Sequence, residues 1–276
     1  MAKASAAKKK SPARASSPLT ELGLGAAWLI GLSALLLIVE AAVGKSMVGV
    51  AVAGAVIVEL SAGWAGVRWD LGPPRPFEAI LRRLGAGLGL ATALVVVAVL
   101  VSLAAGWAHA GLGHPSLSLA LAVVRAGSLG VRDELLLCGI PLAACARAGV
   151  RPLHARGFAA LASAAPLVLV PEASIAAIVL AAALGWLFAS LWQHERSGYA
   201  AAAAHAGYLL VVRALLQGEL FDLSFPRGAL SIGARAAGAP AFLMALLAIV
   251  AAFLLPRLPG FRASFPEQAP PVDERP

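Results

Sequence analysis

The chain reads as an all-α, polytopic membrane helix bundle of about eight transmembrane helices, and three observations carry that expectation. Hydrophobic residues make up 60% of the sequence and charged residues only 13%, against about 45–50% and ~25% in soluble domains. Apolar runs near the ~20 residues needed to cross a bilayer recur along the whole chain. Lysine and arginine fall almost entirely between alternate pairs of these runs. Mean hydropathy is +0.85.

In chain order the expected spans are about residues 24–43, 47–66, 86–107, 117–145, 157–171, 174–192, 199–216 and 239–255. Glu40 and Glu59 interrupt the first two, and the fifth is short. Glu40 reads as lying near an interface, Glu59 as packing inward. Gly72-Pro73-Pro74-Arg75-Pro76 breaks any helix between the second and third spans. Gly85, Gly87 and Gly89 open the third span and Ala200 to Ala204 run through the seventh, the small faces that let membrane helices approach closely. Trp64, Trp69, Trp107, Trp186 and Trp192 fall at span ends, as an interfacial belt would. The organisation is a basic disordered tail over 1–22, a transmembrane domain over 23–256 and a Pro-rich disordered tail over 257–276.

Charge tests the span count. With the N-terminus inside, sixteen Lys and Arg lie in cytoplasmic segments, and Lys45, Arg227 and Arg235 lie on the opposite side. Arg125, Arg132 and Arg213 fall within spans, completing the 22. This asymmetry satisfies the positive-inside rule with both termini cytoplasmic, and the expected location is a bacterial inner (plasma) membrane. The +8 net charge is then topological and calls for no nucleic-acid partner. A cleavable signal peptide is disfavoured, because the run from Leu24 to Val39 is long for such a segment and the charge count works with it retained. Cys138 and Cys145, seven residues apart on one helix, sit roughly 10 Å apart, too far for a disulfide. No inverted internal repeat of the kind found in many transporters is visible.

Against this background Arg132-Asp133-Glu134 stands out. An ionised carboxylate near the bilayer centre costs at least ~2.5–3.5 kcal/mol, so the cluster has partners inside the bundle or does chemistry there. Glu134 and Cys138 share a helix face, while Asp133 turns about 100° away. Asp133 can neutralise Arg132 or Arg125 while Glu134 points elsewhere, or the reverse. His205, set among alanines, has room to reach a neighbouring helix. A buried carboxylate and a histidine suit acid/base work. They equally suit two ligands of a metal, or a hydrogen-bonded lock between helices. A proton or ion pathway through Glu59, Glu134, His205 and Arg213 is the transporter alternative.

Asp133-Glu134-Leu135-Leu136-Leu137-Cys138-Gly139 resembles the first motif of the CAAX-processing and bacteriocin-processing (CPBP) intramembrane proteases, which is Glu-Glu, three residues, Arg, Gly. Gly185-Trp186-Leu187-Phe188, the turn His194-Glu195-Arg196-Ser197-Gly198-Tyr199 and then His205 resemble that family's third region in order and spacing. The resemblance covers roughly 115–215. It implies a multi-helix glutamic-type endopeptidase acting on a membrane-associated peptide or C-terminus, without a cofactor, with Asp133, Glu134 and His205 at the catalytic positions. Four departures accompany it: Asp133 replaces a glutamate, Cys138 an arginine and Leu209 an Asn or Asp, and no histidine occurs between residues 155 and 193. His154, at the cytoplasmic edge, is the nearest substitute for the missing histidine. An inactive family member that binds a membrane partner is the alternative the departures suggest.

Overall fold

A computed structural model of the protein describes residues 17–43, 47–71, 75–114, 116, 118–216, 218, 220–226, 228–230, 233–258 and 261. The expected tails up to residue 16 and beyond residue 261 lie outside the described residues.

The chain is mostly helical. The helices are α1 (Pro18–Val43), α2 (Met47–Trp64), α3 (Phe77–Ala104), α4 (Ser118–Glu134), α5 (Ile140–Arg147), α6 (Pro152–Val168), α7 (Ile175–Glu195), α8 (Tyr199–Leu210) and α9 (Gly238–Leu254). Among the described residues three short strands accompany them: β1 (His109–Leu112), β2 (Phe221–Ser224) and β3 (Gly228–Ala229). A π-helical turn, Leu135–Gly139, joins α4 to α5 without a break, and a second, Val211–Leu215, extends α8. Five helices among the described residues are long and apolar enough to cross a membrane: α1, α2, α3, α7 and Gly238–Arg257. The α4–α5, α6 and α8 rods fall outside that set; α6, and α8 even with its π turn, are shorter.

Helix boundaries follow local chemistry. Ser17 caps α1, its hydroxyl accepting from Thr20 N at 3.2 Å, with Pro18 in the first turn. Residues 18–22 are therefore helical and not part of a disordered tail. Pro76, in extended conformation, starts α3 at Phe77, nine residues before the expected span, because the Arg82–Arg83 turn continues the helix past its apolar part. The π turn ends two residues before Pro141. Proline has no N–H and its ring clashes with the carbonyl four residues back. The wider turn, in which Ile140 N bonds Leu135 O, carries the rod past that position.

Contacts between loops define two ends. At one, Arg147 ion-pairs with Glu21 at 2.7 Å and donates to Ala65 O at 2.8 Å. Asp70 pairs with Ser197 as a β-bridge, and His194 bonds Phe261 O at 2.6 Å. At the other, β1 and β2 form an antiparallel ribbon with Leu112 opposite Phe221, and Ser174 donates to Ala236 O at 2.7 Å. This ribbon is an addition to the helices expected from the sequence. From α3 onward the rods run alternately between these two ends.

Helix α8 lies within the bundle, packed on α3, α4 and α7. Its alanines make that possible: Ala200, Ala201, Ala202 and Ala204 are all buried. A Cβ on Gly87 of α3 would fall 3.1 Å from Ala200 Cα and closer still to its carbonyl. One on Gly130 of α4 would lie 2.7 Å from Ala206 Cβ and 2.8 Å from its backbone nitrogen. These are backbone-to-backbone approaches that only glycine permits.

Two tryptophans depart from the expected belt. Trp192 is buried and stacks on Trp69 at 5.9 Å between ring centroids, and Trp69 stacks on Tyr199 at 5.6 Å. Trp64 and Trp107 are exposed, as belt residues would be.

Candidate functional site

Glu134 is the last residue of α4 and is fully enclosed, at 0% exposure. His205 sits in the middle of α8, and its Nδ1 lies 3.6 Å from Glu134 Oε2. The glycine contact described above sets this geometry. Gly130 is one helical turn before Glu134, and Ala206 follows His205, so the closest approach of the two helices falls beside the pair. Phe188 of α7 covers the imidazole, stacked at 4.7 Å with 21° between planes.

By residue counting, Glu134 is about 20 Å from the end of its rod and His205 only about 9 Å from the start of its own. The structure closes this gap at the start of α8. The 195–198 turn is recessed at its end of the bundle: Glu195, Ser197 and Gly198 are buried, and Arg83 ion-pairs with Glu195. Trp192 touches both Gly139 and Gly198, so α8 starts at the level of the π turn, already inside the bundle. Five residues from Gly139 back to Glu134 then match six from Tyr199 to His205.

Of the sequence-derived site residues, Glu134 and His205 come together and Asp133 does not join them. Asp133 turns to Arg132, at 2.6 Å. Cys138 is buried with its thiol 3.9 Å from Gly185 O. Leu209, where the resemblance calls for an Asn or Asp, and Ala162, four positions after Phe158 where it calls for the missing histidine, are buried and apolar. His154 is exposed in the first turn of α6. Glu40 is exposed, and Glu59 is exposed rather than inward-packed, accepting from Trp69 Nε1 at 2.8 Å. Arg213 is exposed and forms no ion pair with Glu134.

Chemically, both Glu134 oxygens and His205 Nδ1 are enclosed without a hydrogen-bond partner among the described residues. Such groups cost about 1–3 kcal/mol each if left unpaired, so the two side chains act on one another. A shift of a few tenths of an ångström from the 3.6 Å separation would bring them to hydrogen-bond distance. The imidazole keeps 15% of its side chain exposed, and its Nε2 is not among the enclosed atoms. Among the described residues no group of three or more His, Cys, Asp or Glu is placed to hold a metal ion. Sequence reasoning missed Phe188 as the cover of His205, although Phe188 and Cys138-adjacent Gly185 both lie in the quoted Gly185–Phe188 segment.

Comparison with known proteins finds no matching family model, no matching curated protein and no matching solved structure. The fold and composition define a helical, membrane-type bundle carrying a buried carboxylate–histidine pair.

Proposed function

We propose that all eight rods cross a bilayer with both termini on the cytoplasmic side, and that the chain is an intramembrane endopeptidase of the CPBP-like kind it resembles. Its substrate is a membrane-associated peptide. The observation that carries this reading is the meeting of Glu134 and His205, 71 positions apart in sequence, at 3.6 Å inside the bundle.

The geometry supports particular roles. Glu134 has no exposed surface, so it acts as a positioning residue, holding the imidazole through Nδ1. The outward Nε2 of His205 is the general base. It takes a proton from water as the water oxygen bonds the peptide carbonyl carbon, then delivers that proton to the departing nitrogen as the C–N bond breaks. The arrangement leaves Asp133 as a charge partner of Arg132, outside the reaction. An inactive relative that binds a membrane partner is favoured by one specific observation: buried, apolar Leu209 stands where an Asn or Asp would help hold the oxyanion, and buried Ala162 where that family's further histidine would fall.

The full-length protein in lipid vesicles, presented with a fluorogenic peptide carrying a membrane anchor, tests the proposal. Wild type and Asp133→Asn hydrolyse it, whereas His205→Ala and Glu134→Gln are each slowed at least about a hundredfold. Equal rates in wild type and His205→Ala would leave the inactive reading in place.

A further inference from the structure

Arg125 and Arg213, both within expected spans, lie on the same two helices as the candidate pair. Arg125 is nine residues before Glu134 and Arg213 eight after His205. The rods run antiparallel and are held in register at Gly130 and Ala206. Both steps therefore lead about 12–14 Å from the pair in one direction, toward the end that bears the β1–β2 ribbon. There α4 packs on the π turn Val211–Leu215. Arg235, in the short 3-10 turn Gly233–Arg235, completes a cluster in which the charges of Arg125 and Arg235 both bear on Arg213.

The charges of Arg125 and Arg235 each repel that of Arg213. Among the described residues no carboxylate forms an ion pair with any of them, and Arg125 Nε is enclosed with no hydrogen-bond partner. Arg235 also lines a cavity of about 320 Å³, with the apolar side chains of Leu216, Leu223, Phe225 and Leu230. The neighbouring ribbon exposes Leu112 and Phe221, and Trp107 is exposed close by in sequence. Apolar and aromatic groups beside arginines mark the depth of lipid headgroups.

We propose that this end of the bundle is a binding site for an anionic phospholipid, with the phosphate on Arg125, Arg213 and Arg235 and an acyl portion in the adjoining apolar cavity. Guanidinium pairs phosphate in a bidentate, charge-assisted geometry, and the recess supplies the apolar contact that a free anion does not use. The site is separate from the hydrolytic reading and stands without it.

Native mass spectrometry of the full-length protein in detergent, with short-chain phosphatidylglycerol, phosphatidylcholine or inorganic phosphate added, tests the proposal. One phosphatidylglycerol is retained saturably, phosphatidylcholine is retained at least about tenfold more weakly, and phosphate alone weakly. Arg213→Gln with Arg235→Gln, both exposed positions, lowers phosphatidylglycerol retention at least about tenfold, the loss of one or two charged hydrogen bonds. Helical circular dichroism of that variant stays unchanged. Leu223→Trp, which fills the recess, lowers lipid retention without altering phosphate binding. Equal retention of the two lipids, full-strength binding of phosphate alone, or an unchanged double variant would overturn the proposal.

Discussion

A carboxyl with no exposed surface has to be matched by a proton or a cation, and His205 is the group that meets Glu134. Removing one partner of such a pair leaves an uncompensated buried group, whereas removing both does not. His205→Ala is therefore expected to destabilise the protein by about 3–5 kcal/mol, and Glu134→Leu with His205→Leu to recover most of that loss. Thermal unfolding in detergent checks it. A double variant as unstable as the single one would show that the two side chains are not coupled. Asp133 gives the contrast. Its charge is held by Arg132 on a face that stays partly exposed, so Asp133→Asn is expected to cost less than His205→Ala, about 1 kcal/mol. Glu134 and His205 were legible in the sequence because intramembrane polar residues are expensive. Which of the two adjacent carboxylates would face the histidine was not, since that depends on how α4 is rotated against α8.

Element packing rests on glycine at a few places and not at others. Gly87→Ala and Gly130→Ala each set a methyl group against backbone of α8, and each is expected to cost about 1–3 kcal/mol through overpacking. Gly85→Ala, with nothing within 4 Å of the new carbon, is expected to be neutral or to stabilise by up to about 1 kcal/mol. Unfolding midpoints of the three variants in one detergent separate these cases, and a uniform response would deny that α8 is seated by glycine. The helices themselves were visible as apolar runs. Two features were not. The π turn at Leu135–Gly139 reflects how Pro141 is accommodated within a packed rod. The burial of Glu195 and Ser197 depends on Arg83, 112 positions from Glu195, donating to the Glu195 carbonyl at 3.1 Å and to Ser197 Oγ at 3.4 Å. Neither effect leaves a periodic trace in the sequence.

At the scale of the whole molecule, the loop contacts gather residues 65–71, 147 and 194–198 at one end and residues 109–112 and 221–224 at the other. This grouping supports the alternation inferred from the arginines, and cysteine labelling tests it. Leu112→Cys and Asp222→Cys should react with a membrane-impermeant reagent from outside intact cells, and Leu71→Cys and Leu153→Cys only after lysis. Native Cys138 and Cys145 are buried and add no background. The central claim concerns what the buried pair does, and cells give the most direct view of it. Peptide termini of membrane proteins are compared in cells carrying wild type, Glu134→Gln, His205→Ala or Asp133→Asn, at matched levels of the protein. The expected result is a set of new termini shared by wild type and Asp133→Asn and missing from both Glu134→Gln and His205→Ala. Identical termini in all four would contradict hydrolysis by this pair.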